Sequence, residues 1–224
     1  MPLLWRVLGK AGNSNTDERI DLIDALLKLV PREQIALLVA DREFIGKHWL
    51  TYLEEQQIPY LVRIRANALI GSAERARAAS AVFASLGVGK KQVLKRKRRV
   101  YGQRVFVVGL RLQSDLLIVA TNLSAKRALA HYGRRWEIET LFAVLKSRGF
   151  DLEATHVRCD ERLERLFGVV ALAFTWAYVV GDWLDREVEQ IRRAGHGRRR
   201  CSVFRYGLDH LRCLLLNPTG RAIA

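Results

Sequence analysis

Four residues between Tyr132 and Lys146 have the types and the spacing for work on a phosphodiester. Tyr132, Arg135, Glu139 and Lys146 follow the pattern Y-x2-R-x3-E-x6-K. A carboxylate such as Glu139 is a hard oxygen donor of the kind magnesium takes, with water and substrate phosphate completing its shell. Arg135 and Lys146 stand beside it as cations, and a carboxylate beside cations in a basic chain suggests phosphodiester chemistry. Two metal ions roughly 3.5–4 Å apart can clamp the attacking and leaving oxygens of an in-line displacement. Such a site needs several carboxylates at the ends of core elements. Asp41 directly follows the apolar run Ile35–Ala40, at the end of a strand where α/β sheets build their sites. Asp41 and Glu139 are therefore a candidate metal-binding pair.

The segment from His131 to Phe150 reads as one helix. At about 100° per residue, Tyr132, Arg135, Glu139 and Lys146 fall within a stripe roughly 60° wide. Ile138, Leu141, Phe142 and Leu145 fall on another side, which can pack on a core. A solvated face would carry the same charges, and an i,i+4 pair such as Arg135–Glu139 is worth only about 0.3–0.5 kcal/mol there. Tyr132 in the stripe, with Trp136 and Phe142 at its border, gives more aromatic content than such a face needs.

The elements that must hold these residues alternate. Thr16 reads as a helix N-cap, with Asp17 and Glu18 in the first turn and Pro31 ending the helix. Ile35–Ala40 reads as a fully buried strand. Residues 45–57 follow as a helix with Trp49, Leu50 and Leu53 inward, and 59–67 as a second strand. Two extended arms over 92–112 flank a turn at Tyr101-Gly102-Gln103, and 115–123 is a further strand. Pro2–Leu8 also reads as a strand. Leu166–Gly181 carries no charge over 16 residues; a membrane-spanning helix usually needs about 20, so this is read as a buried core helix. A basic loop, Arg192–Arg200, precedes a last amphipathic helix near 203–216.

The chain of 224 residues has a formal net charge of +15, a pI near 10.4 and five tryptophans. A core is affordable, and a polyanion is the simplest partner, nucleic acid before an anionic membrane surface. Lys90, Lys91, Lys95, Arg96, Lys97, Arg98 and Arg99 cluster on one arm of the hairpin. Lysine and arginine also protect edge strands, so this cluster serves either role. Cys159, Cys201 and Cys213 are odd in number and form no C-x-x-C pair. They fit a reducing, intracellular compartment without a disulfide framework or structural zinc.

The tyrosine–arginine–glutamate–lysine pattern matches in every interval the signature of the insertion-sequence-4 family of bacterial DDE transposases. "VADREF" (Val39–Phe44), "IPYLVRIRAN", "IVATNL" and "RWEIETLFAVLKSRGFDLEATHV" resemble that family as well. The resemblance implies an α/β, ribonuclease-H-like mixed sheet with flanking helices. A β-rich insertion lies between the second aspartate and the glutamate. It divides the chain into a first part of the core over 1–69, the insertion over 70–122, a second part over 123–186 with the signature helix and the apolar helix, and a basic tail and helix over 187–224. It implies that Asp41 and Glu139 are catalytic and hold Mg2+ or Mn2+ in a two-metal site. Tyr132, Arg135, Lys146 and Trp136 would contact DNA. The implied partners are double-stranded DNA, at element ends and target, and a second copy of the chain, without a membrane. The implied compartment is the bacterial cytoplasm, at the nucleoid. The family's first aspartate sits on a first core strand, and here only Met1 precedes Pro2. The expectation is an N-terminally truncated catalytic domain, first core strand missing, inactive alone. The alternative is a non-catalytic basic DNA-binding protein or relic.

Overall fold

The computed structural model describes residues 1–72 and 74–217, with the side chains of Ser147, Arg148 and Glu153 left aside. The end of the expected basic tail, 218–224, lies outside the described residues. The chain divides into two compact units: a sheet unit over Lys10–Thr140, and a helical unit formed by Met1–Gly9 with Leu141–Ala224.

The sheet unit opens with α1 (Thr16–Leu29). Its N-cap is Asn15 rather than Thr16. The Asn15 side chain accepts from the Glu18 backbone N–H at 2.9 Å, and the Glu18 carboxylate accepts from the Asn15 N–H at 2.7 Å. This reciprocal box needs an acceptor three residues after the cap, and counted from Thr16 that position is an arginine.

Strands β1 (Leu38–Ala40), β2 (Tyr60–Arg63), β3 (Leu69–Ile70), β4 (Arg77–Ala78), β5 (Lys91–Val93), β6 (Arg98–Val100), β7 (Gln103–Arg111) and β8 (Leu116–Thr121) follow. So do α2 (Lys47–Glu55), α3 (Ala79–Val82), α4 (Ala128–Gly133) and α5 (Trp136–Ala143), the last passing into the helical unit. The main sheet has the order β1-β2-β8-β7-β5, with β6 also on β7, while β3 and β4 form a separate pair. β1 and β2 run parallel, as the intervening α2 crossover requires, and the other pairings are antiparallel.

Alternation along the strands fills both faces. Tyr60, Val62, Ile118 and Ala120 point to one side and share a core with Trp49, Leu50 and Leu53 of α2 and with Phe83. Leu61, Val108 and Val119 point to the other, where Ala128 and Tyr132 of α4 cover them. The architecture is a mixed sheet flanked by helices. β1 is not the fully buried strand its composition indicates. Among the described residues it has a neighbour on one side only, and of its three residues only Ala40 is buried. The hairpin turn sits where expected: Tyr101 and Gly102 both have positive φ, 49° and 87°, as a tight two-residue turn between twisted strands requires. The arm before it is interrupted. Leu94–Lys97, four residues, face only Phe106 and Val107 between the flanking pairs Val93↔Val108 and Arg98↔Val105. The bulge pushes Lys95, Arg96 and Lys97 out of the ladder.

In the helical unit α5 runs into a π-helical turn, Val144–Arg148. α6 (Asp160–Trp183) continues as a π-turn through Val188, and α7 (Val203–Leu216) packs against it. Phe174 stacks on Phe204 at 5.0 Å between ring centres. The two backbones touch closely: a Cβ at Gly181 would collide with the Val203 carbonyl oxygen, and one at Gly207 with that of Ala177. α6 is not buried on all sides. Val170, Ala171, Phe174, Ala177 and Gly181 are buried, because α7 covers one face only. By length and composition this helix alone among the described residues could cross a membrane, and 22% of its most apolar window is buried. Pro2–Leu8 forms no strand. A strand needs a ladder partner; here Trp5 packs on Phe167 at 5.0 Å and donates its indole N–H to the Glu164 carbonyl. The basic loop folds as a small turn, with Arg193 bridged to Arg199 and Arg199 paired to Asp185 at 2.8 Å.

Candidate catalytic site

The site is built where β1 ends and the chain returns as α4 and α5. Asp41 leaves the end of β1 beside β2, and its Oδ1 accepts from the Arg42 N–H at 2.8 Å. Tyr132, 5% exposed, is held by α4 against the sheet. Its hydroxyl donates to Asp41 Oδ1 at 3.2 Å. Arg135 joins the two carboxylates: Nη1 lies 3.7 Å from Asp41 Oδ2 and Nη2 lies 2.7 Å from Glu139 Oε1. The guanidinium also stands 5.6 Å from the centre of the Tyr132 ring, within cation–π range. Its Nε–H is buried without a hydrogen-bond partner.

The expected single helix is broken. α4 ends at Gly133 and α5 begins at Trp136. Between them Arg134 and Arg135 donate to the carbonyls three residues back, at 3.2 and 3.0 Å, and Glu137 and Ile138 do the same. These are tightened, 3₁₀-type turns. Gly133 eases the break, since glycine in a helix interior costs about 0.5–1 kcal/mol relative to alanine. Tyr132, Arg135 and Glu139 still converge, through the tightened turn rather than through one continuous stripe. Lys146 lies on the π-helical turn of the helical unit, where it lines an apolar hollow with Phe142, Leu145, His156 and Phe167. Trp136 is 65% exposed. Ile138 and Phe142, expected to pack on a core, are 48% and 46% exposed, because no residue of α5 is buried.

Burial pushes the Tyr132 phenol up to about 12, and the Asp41 charge adds to this while Arg135 and Arg63 oppose it. It stays protonated and a donor at neutral pH. Burial works against the Arg135 charge, but the Glu139 hydrogen bond, Tyr132 and Asp41 outweigh it and raise its pKa. The carboxylates remain reachable, with side chains 37% exposed for Asp41 and 41% for Glu139. Sequence reasoning missed Arg63. It ends β2 beside β1, pairs with Asp115 at 2.5 Å and is close enough to act on the Tyr132 phenol. Its position at a strand end next to the one bearing Asp41 was the available signal.

Asp41 and Glu139 offer hard oxygen donors to a cation, and Arg135 is itself a cation between them. Among the described residues no group of three or more histidine, cysteine, aspartate or glutamate side chains could hold a metal. Magnesium is commonly bound by one or two carboxylates with water and substrate phosphate, so the pair fits that donor set.

No curated protein matches the chain. The transposase DDE domain matches residues 3–176, a span that takes in both β1 with Asp41 and the helices carrying Tyr132, Arg135 and Glu139. With its mixed sheet flanked by helices, of the ribonuclease-H-like kind, the chain belongs to the transposase DDE domain family.

Proposed function

We propose that the chain acts at the inverted-repeat ends of an insertion sequence as an insertion-sequence-4-type transposase domain, breaking and joining DNA by phosphodiester transfer. The observation that carries this is the Asp41–Arg135–Glu139 chain with Tyr132 behind it: two reachable carboxylates on either side of one cation. In the first step water adds to phosphorus at the element end and the 3′ oxygen leaves. In the second, the freed 3′ hydroxyl adds to a target phosphorus and a target 3′ oxygen leaves. Magnesium or manganese, when bound, would stabilise the charge on the attacking and leaving oxygens. Asp41 and Glu139 would hold it. Arg135, whose Nε–H has no partner, would turn to a DNA phosphate oxygen once the carboxylates are engaged. Tyr132 would keep Asp41 oriented through its hydrogen bond. Lys146 and Trp136 would contact the DNA, the one as a phosphate ligand and the other by stacking.

On this reading residues 1–69 and 123–186 build the catalytic core, 70–122 is its β-rich insertion and 187–224 a basic tail. Two copies act together on DNA at the nucleoid. The described residues bring two carboxylates together where a DDE site uses three, so the 224 residues alone are expected to be inactive in strand transfer. The test is a duplex carrying the element's inverted repeat. Magnesium- or manganese-dependent nicking that Glu139→Gln abolishes, with DNA binding retained, supports the reading. Steeply salt-dependent binding without nicking favours the alternative, a non-catalytic basic DNA-binding protein. Efficient strand transfer by the purified chain would overturn the expectation of inactivity.

A further inference from the structure

α6 carries two apolar faces on nearly opposite sides. One, with Val170, Phe174, Ala177 and Gly181 buried along it, is filled at Phe174, Ala177 and Gly181 by α7, with Val144 and Phe150 beside it. The other is Val169, Leu172, Trp176, Val179 and Trp183, and these are 65%, 73%, 57%, 58% and 53% exposed. Their spacing is 3-4-3-4, the spacing of a helix seam that takes the knobs of a facing helix. No charged residue lies between Val169 and Val179 on any side of the helix. Among the described residues of the helical unit nothing covers this face.

We propose that the open face of α6 is the seam through which two copies of this chain pair, α6 against α6. A helical occupant follows from the spacing, since a 3-4-3-4 row presents knobs and holes at the intervals of another α-helix. The opposite face of the same helix, with its own 4-3-4 row, already takes α7. A second copy supplies the complement directly, because a two-fold pairing places the same row on both sides. The area is sufficient. Five half-exposed side chains, two of them tryptophan, leave on the order of 500–600 Å² open per copy. A pair would cover about 1,000–1,200 Å², which reaches the lower range of specific interfaces. This deepens the assembly part of the proposed function by naming its surface. It needs neither metal nor DNA, so its failure would leave the strand-cleavage reading standing.

The test is sedimentation velocity on the full chain without DNA, between about 1 and 100 µM, in enough salt to screen its positive charge. A monomer–dimer equilibrium is expected. The double variant Leu172→Glu/Trp176→Glu, whose side chains are exposed in the monomer, should keep its circular dichroism and raise the dissociation constant at least tenfold. Diluting the wild type gives an independent reading: the emission of Trp176 and Trp183 should move to the red as the pair separates. A monomer at 100 µM with unchanging emission overturns the proposal, as does a dimer that the double variant leaves intact. So does a monomer that floats with neutral phosphatidylcholine vesicles, which would give the face to lipid.

Discussion

The Tyr132 hydroxyl donates a hydrogen bond to the Asp41 carboxylate at 3.2 Å, although 91 residues separate the two in sequence. It is a contact between the end of a strand and a helix packed on one face of the same sheet, and it makes the tyrosine part of the carboxylate's support. Tyr132→Phe should keep the fold, since the ring fills its place among Leu61, Val108 and Val119. The lost bond is worth about 0.5–1.5 kcal/mol, and urea unfolding at neutral pH reads that difference.

The same residue gives a pH dependence with a definite sign. The Tyr132 phenol is raised from its ordinary value of 10 to about 12, first by burial. Its contribution is fully present below the unfolded value and is lost as pH rises through about 12. Between pH 10 and 12 the unfolded state ionises first, so stability should fall by on the order of 2 kcal/mol. Tyr52 and Tyr60, also raised, slope the same way. The wild type minus Tyr132→Phe difference isolates the one group.

Arg135 holds the place of a cation between Asp41 and Glu139. Arg135→Gln should therefore tighten Mn2+ binding several-fold, because the carboxylates lose a competing charge. The same change should weaken DNA binding. Electron paramagnetic resonance titration of Mn2+, paired with a DNA-binding isotherm, separates the two effects. Weakened binding of both ligands would count against the proposed exchange.

The bulge at Lys95, Arg96 and Lys97 projects three charges from the ladder beside β7. If they meet phosphates, replacing all three with alanine should lower the slope of log affinity against log salt by about 2–3. An unchanged slope would make the cluster a protected edge.

Gly181 and Gly207 allow α6 and α7 to touch through their backbones. Alanine at either position must push the helices apart. A loss of about 1–3 kcal/mol or more is expected, seen as a lower midpoint in thermal unfolding. Alanine at Gly133, which meets nothing within 4 Å, is the control.

Much of this was legible in the residues. The apolar run before Asp41, the crossover helix with Trp49 and Leu53, and the Tyr101-Gly102 turn depend on local pattern, and local pattern carried them. The convergence of Tyr132, Arg135 and Glu139 was also legible from their spacing. What failed depends on neighbours. Whether Ile35–Ala40 lies inside a sheet or at its edge is decided by which strands stand beside it. Whether α6 is covered on one face or all round is decided by what packs there, and hydrophobicity alone reads the same in both cases. The break at Gly133 escaped because a helix was assumed to keep one period through a glycine and two arginines. Arg63 escaped because its role comes from the strand next door.

The position of β1 has a consequence for how the site is lost. β7 and β8 are joined by a short turn and pair early in sequence terms, while β2 reaches β8 only across 56 residues, Arg63↔Val119 at the shortest. Pairings over long separations form late, and edges with few buried contacts are the parts of a sheet that open first. β1 is three residues long, joined to the sheet on one side, and carries Asp41 at its end. The carboxylate therefore rides on the outermost plank of the scaffold. Fraying of that edge would part Asp41 from Tyr132 and Arg135 while the interior, from Trp49 to Ile118, stayed intact.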